Sequence, residues 1–254
     1  MNIKNIYAKP ETKTKKIISL FTRIGFFNFI KRIFDYIIEG FVPFMRIKFP
    51  LFNKIIKKPT FIFNNKKYTY FYHFYNSAWR YERTIEIPLA LEFINNNKNK
   101  RILEVGNVLS HYFKVNWDIL DKFERAAGVI NEDIATFKPK QKYDVIVTIS
   151  TLEHVGFHDD KIDPQKIIKA IDNIKKNILK KGGKMFVTFP LAYNPFLDKL
   201  LFSDKIQFNE RYYMKKISRF NRWVQIDEAE AKRIKLNHPY RHVNGLFIGI
   251  IYNV

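Results

Sequence analysis

Cysteine is absent from this 254-residue chain, which excludes disulfide frameworks and thiolate-bound metals and makes the reducing cytosol its simplest home. Long uninterrupted apolar runs are absent too. The most apolar stretch, residues 17–52, is broken by Arg23, Lys31, Arg32, Asp35, Glu39, Arg46 and Lys48, whereas a membrane span needs about 20 mostly apolar residues. No small-residue cleavage site follows a compact apolar run, so a secretory signal is not expected. Internal repeats and recognisable RNA-binding motifs are also missing. Acidic residues are scarce beside basic ones, 24 against 45, and the formal charge is +21.

Such a charge asks for a nucleic acid, an anionic membrane or a phosphorylated substrate, or else spreads over solvated lysine-rich faces. The excess is regional: residues 1–60 carry thirteen Lys/Arg against three Asp/Glu. Hydrophobic residues at 46% and charged ones at 27% are ordinary for a folded chain, while aromatics reach 17%. The length suits one α/β domain with an appendage.

Two compositional parts are expected, a basic amphipathic extension over residues 1–60 and an α/β domain over 61–254. In the extension, apolar residues at helical spacing suggest helices over 17–27 and 29–38, ending at Gly40. Residues 61–75 read as a hairpin around Asn64-Asn65-Lys66-Lys67. Then strands and helices alternate: a helix over 87–96 and strands at 101–105, 117–121, 128–130 and 143–149. A helix runs from Asp163 and Pro164 to Gly182-Gly183, with strands following at 184–189 and 245–252, the last antiparallel. Alternation of this kind predicts a Rossmann-like, mostly parallel sheet.

The focal point is Ile102-Leu103-Glu104-Val105-Gly106-Asn107, a strand ending in an acid and then a glycine, which lets backbone N–H groups approach a ligand. Asp121, at the end of the next strand, is placed to accept hydrogen bonds from both hydroxyls of a ribose. The ILEVGN turn, YDVIVTISTLEHVGF and LKKGGKMFVTFP resemble three motifs of the class I S-adenosylmethionine-dependent methyltransferases, over about residues 100–190. WRYERTIEIPLALEF, GVINEDI and FPLAYNPFLDKLL are similar to a group within that family associated with surface-polysaccharide biosynthesis.

The resemblance implies S-adenosylmethionine as cofactor. It places Glu104 and Gly106 on the methionine and ribose side, Asp121 at the ribose hydroxyls, Asp133 near the adenine amino group, and Ser150, Thr151 and Leu152 beneath the sulfonium. Two departures stand out. Val108 and Ser110 occupy positions where the family has glycines, and residues 121–128 leave almost no room for the usual helix.

His154 is the candidate general base, because imidazole titrates near neutrality; the alternative is that Glu153-His154 only shapes the strand end. His154, His158, Asp159 and Asp160 also form a candidate metal cluster, but the loop leading into the next helix explains them as well, and no metal is expected. Tyr193 and Asn194 are placed to touch an acceptor or to anchor a loop, and Arg83 to close over a carboxylate or to form a surface ion pair. The expected activity is methyl transfer to an oxygen or nitrogen of a small-molecule or glycan-linked acceptor. A degenerate cofactor-binding domain and an RNA methyltransferase are the alternatives, with nucleic acid the weaker partner. Residues 1–58, basic with Phe/Ile faces, suit either a lid or peripheral contact with an anionic membrane at its inner, cytoplasmic face.

Overall fold

In the computed structural model the described residues are 58–159 and 161–253, with 30, 34, 41 and 44–49 upstream. The chain divides into units 1–52 and 53–254, and the sheets with their helices belong to the second. The helices expected over 17–27 and 29–38 lie outside the described residues, apart from Ile30 and Phe34, which are helical and exposed. Most of the segment assigned to a lid or membrane surface lies outside them too. Among the described residues no helix is long and apolar enough to cross a membrane.

A hairpin of β1 (Thr60–Phe63) and β2 (Lys66–Thr69) opens the unit. Its turn is the pair Asn64-Asn65, both at positive φ (46° and 60°), a conformation asparagine tolerates better than most side chains. The expected second strand stops at Thr69. Beyond it, a strap runs through a 3-10 segment, Tyr75–Arg80, to α1 (Arg83–Asn95).

Helix α1 begins four residues earlier than expected, and Pro88 lies inside it. A proline cannot donate to the carbonyl four residues back. Here that carbonyl, on Thr84, accepts instead from Phe71 N at 2.9 Å, while Thr84 Oγ1 donates to Phe71 O at 2.9 Å. The proline therefore leaves a carbonyl for the strap rather than breaking the helix.

Eight strands form the main sheet: β3 (Ile102–Val105), β4 (Asp118–Leu120), β5 (Val129–Ile130), β6 (Tyr143–Ile149), β7 (Leu179–Pro190), β8 (Glu210–Lys216), β9 (Trp223–Ile226) and β10 (Gly245–Tyr252). Their spatial order is β5-β4-β3-β6-β7-β10-β8-β9. From β5 to β7 all pairings are parallel, and β10 inserts antiparallel between β7 and β8, as its sequence position suggested. This is the Rossmann-like, mostly parallel sheet expected. Alternate residues feed opposite faces. Leu103, Ile146 and Val187 pack with α2 (Lys166–Asn173) and α3 (Pro195–Phe202), while Ile102, Val145, Val147 and Phe186 pack with α1 and the hairpin.

Helix α2 is shorter than the sequence suggested. It passes into a π turn, Ile174–Ile178, and β7 starts at Leu179, so Lys180–Gly183 belong to the strand rather than to a helix end. Asn253 explains this. Its Nδ2 donates to the carbonyls of Lys175, Leu179 and Lys180 at 2.9–3.1 Å, and its backbone pairs with Gly182 and Gly183. A short α4 (Glu228–Ala231) precedes β10.

Candidate functional site

Connections leave β3 towards β4 on one side, and the chain returns to β6 on the other. Open α/β sheets bind ligands at the strand carboxyl ends where the order reverses in this way. A cavity of about 610 Å3 lies there, walled by Gly106 after β3, Asp121 after β4, Asp133 after β5, and Ser150, Thr151 and His154 after β6. Six of the residues singled out in the sequence are thereby brought together.

Gly106 turns the chain at φ +87°, and a Cβ built on it would sit 2.1 Å from Thr151 Oγ1. Only glycine fits between the two strand ends. Asp121 holds the loop that closes the cavity: Oδ1 accepts from Phe123 N and Glu124 N at 2.8 Å, and Oδ2 from Asn107 N at 3.1 Å. No helix forms between Asp121 and Gly128, and this tight loop replaces it.

Asp133 reaches the cavity but is committed to Lys166 at 2.6 Å and Lys122 at 3.1 Å, and its Oδ1 accepts from Ala135 N. Burial alone would raise its pKa; these bonds hold it below the ordinary value instead. Asp159 binds the same two lysines, so its carboxylate is used in a salt-bridge network rather than a metal site. Among the described residues no cluster of three His, Asp or Glu could hold a metal ion; Asp160 lies outside them.

Ser150 stands at φ +41°, buried, with its hydroxyl donating to Glu86 Oε1 at 2.5 Å and its N–H to Thr188 O at 2.9 Å. His154 lines the cavity, its side chain 40% exposed. Burial, the neighbouring His158 and Arg83 bring its pKa down to about 4, so it is neutral at pH 7 and a weak base. That differs from the near-neutral imidazole expected.

Five other expected site residues are placed away from the cavity wall. Glu104 is fully buried, with Oε1 accepting from Val108 N (2.9 Å) and Leu109 N (2.7 Å) and Oε2 from Trp117 Nε1 (2.9 Å). Its carboxylate fastens the turn in which Val108 stands where the family has glycine. Leu152 is fully buried in the core. Asn194 caps α3, accepting from Phe196 N and Leu197 N, and its Nδ2 donates to Glu153 O at 2.7 Å. Tyr193 packs edge-on against His154, and its hydroxyl lies 3.3 Å from His158 Nε2. Arg83 pairs with Glu86, buried rather than on the surface.

Sequence reasoning passed over Lys122, Lys166, Phe123 and Glu124, all on the cavity wall. Lys122 and Phe123 directly follow the strand-end acid, a signal that was available. Lys166 offered none, since a lysine in a first helical turn looks like any solvated one.

No protein-family model matches the sequence, and no curated protein does. Solved structures give similar arrangements at low identity. N-methyltransferase NodS from Bradyrhizobium japonicum WM9, in complex with S-adenosyl-L-homocysteine, is 14% identical over 65% of this chain and 84% of its own, with a TM-score of 0.41. The 1,6-didemethyltoxoflavin-N1-methyltransferase of Burkholderia thailandensis is 10% identical over 78% of this chain and 100% of its own, also at 0.41. An S-adenosylmethionine-dependent methyltransferase from Clostridium acetobutylicum ATCC 824 is 13% identical over 65% and 89%, at 0.34. With each of these TM-scores below 0.5, the functional reading rests on the site's own geometry.

Proposed function

We propose that the chain is an S-adenosylmethionine-dependent methyltransferase acting on an oxygen or nitrogen of a small-molecule or glycan-linked acceptor. The observation that carries this reading is Gly106. Its left-handed turn and its missing side chain let the ends of β3 and β6 approach closely at the cavity wall, where a Cβ would strike Thr151. Asp121 fits the cofactor as well. A carboxylate offers about four lone-pair sites, and three are used by backbone N–H groups, leaving about one for a ribose hydroxyl. Asp133 fits less well, because its adenine-facing role competes with Lys122 and Lys166.

Bound there, S-adenosylmethionine supplies a methyl group on a positively charged sulfur, which needs little activation. What remains for the chain is alignment and proton handling. Ser150 and Thr151 form the wall between the strand ends, and His154 presents a neutral ring where an acceptor would stand.

Calorimetry with S-adenosylmethionine and S-adenosylhomocysteine tests the reading. The folded chain binds at least one of them, and Asp121→Ala weakens binding about tenfold or more, since a lost hydrogen bond to a charged group costs ~1.5–3 kcal/mol. A folded wild type that binds neither removes the reading. Membrane attachment belongs to the same proposal: the basic, Phe- and Ile-rich residues 1–58 hold the enzyme at an anionic cytoplasmic face, where lipid-linked glycans are assembled.

A further inference from the structure

Behind Ser150 and His154, away from the cofactor wall, lies a group of buried charges that the cofactor site does not use. Glu86 is fully buried, accepts from Ser150 Oγ at 2.5 Å and from Thr188 Oγ1 at 2.7 Å, and pairs with Arg83. Glu82 and Glu153 both lie within the electrostatic reach of that pair and of each other, and Lys216 acts on Glu82. Among the described residues Arg83 acts on all three carboxyls but bonds Glu86, and Lys216 acts on Glu82, so Glu153 shares Arg83 without a hydrogen bond to it.

Glu153 is cut off from water as well, at 1% exposure, and, unlike Glu86, its Oε2 has no hydrogen-bond partner. Its Oε1 is 3.8 Å from His154 Nε2, too long for a hydrogen bond. Glu82 Oε2 and His154 Nδ1 are buried and without partners as well. Buried polar atoms are nearly always partnered, so three orphans in one neighbourhood point to a ligand that supplies what they lack.

We propose that Glu82, Glu153 and His154 form the acceptor subsite and that it takes a primary or secondary amine, held as its ammonium against Glu153. The proposal rests on the methyltransferase reading and narrows its acceptor from oxygen or nitrogen to nitrogen. The donor count favours this choice. An ammonium brings two or three N–H donors, whereas a hydroxyl brings one. The proton chemistry favours it too. A hydroxyl acceptor needs a competent base, and His154, at about 4, is a weak one.

An ammonium, in contrast, binds as Glu153 releases its own proton to water, and then gives one of its protons to the carboxylate so formed. The N–H bond breaks with its electron pair staying on nitrogen, and an O–H bond forms on the carboxylate. Burial already favours the protonated form of Glu153, with Glu86 and Glu82 adding to that and Arg83 opposing it. The nitrogen is left neutral and nucleophilic. His154 belongs both to the cavity wall and to this subsite, so the amine stands beside the cofactor space.

Matched probes test the proposal: glucosamine against glucose, and benzylamine against benzyl alcohol, titrated by calorimetry into the full chain saturated with S-adenosylhomocysteine. The amine of at least one pair is expected to bind about tenfold tighter than its alcohol. In Glu153→Gln the two are expected to come within about threefold of each other, with S-adenosylhomocysteine affinity unchanged. If Glu153→Gln fails to fold, Glu82→Gln, expected to lose part of the preference, replaces it beside the wild-type comparison. Absence of an amine preference in both pairs overturns the proposal, as does a preference that survives both substitutions. Failure to bind S-adenosylhomocysteine at all instead removes the methyltransferase reading beneath it.

Discussion

Gly106 and Glu82 show how single residues set the behaviour of the site. At Gly106 two penalties combine: a left-handed backbone, costing an ordinary residue ~1–2 kcal/mol, and a Cβ 2.1 Å from Thr151 Oγ1. Gly106→Ala is expected to lower the melting temperature and to abolish cofactor binding, while Gly106→Ala with Thr151→Gly regains part of the binding by removing the clash but not the strain. Equal affinity in Gly106→Ala and wild type, read by calorimetry, would contradict this account of the cradle. Glu82 is pushed up to about 7 by burial, with Glu86 adding and Arg83 opposing. A carboxyl raised on folding contributes stability below its unfolded value of 4.5, and that contribution is lost as pH rises through about 7. Glu82→Gln is therefore expected to raise the melting temperature above pH ~7 and leave it nearly unchanged near pH ~4. His154 acts oppositely between about 4 and 6.5, where falling pH costs stability, so the variant is compared with wild type at each pH. Gly106 and Asp121 were legible as strand-end residues of the cavity because the order of strands and helices placed both at the carboxyl edge of a parallel sheet, though a glycine after a strand is by itself more often a plain turn. The burial of Glu86 was not, since charges near a helix start look alike whether water or Ser150 is their partner.

Among the elements, α3 depends on a side chain with two duties. Asn194 caps its first turn and also holds the Glu153 carbonyl, tying α3 to the segment that carries His154. Loss of an N-cap costs ~0.5–2 kcal/mol. Asn194→Ala is expected to cost at least that much in denaturant unfolding, whereas Asn194→Asp keeps the cap acceptor but sets a buried carboxylate oxygen against the Glu153 carbonyl and is destabilised through that contact instead. If Asn194→Ala unfolds like wild type, the cap contributes nothing. Most of the strands were legible because buried parallel strands such as Tyr143–Ile149 are short continuous apolar runs that leave little choice. The helix boundaries were harder. Gly182-Gly183 resembled a helix stop, but Asn253, about seventy positions away, takes the carbonyls of Lys175, Leu179 and Lys180 into its own hydrogen bonds across the junction where β7 begins early. The helix expected over 87–96 starts at Arg83 instead, and no local pattern shows that Phe71 will take the carbonyl that Pro88 leaves.

For the whole molecule, a net charge of +21 with thirteen cations in residues 1–60 makes attachment to an anionic surface the outcome to measure. The full chain is expected to sediment with anionic liposomes at low salt and to be released as salt screens the contact. A chain lacking residues 1–58 should stay in the supernatant while melting cooperatively. Equal sedimentation of both would locate the contact elsewhere, and none for either would exclude it. The sheet order carries a different consequence, one of timing. Strand β10 lies between β7 and β8 but is synthesised after both, so on the ribosome β8 and β9 emerge with no strand to join them to the parallel half. Until β10 threads into that gap, β7 presents a bare edge of unpaired amides and carbonyls with apolar neighbours such as Phe189. During translation the nascent chain is therefore at its most aggregation-prone between β8 and β10, the interval in which a chaperone would find it.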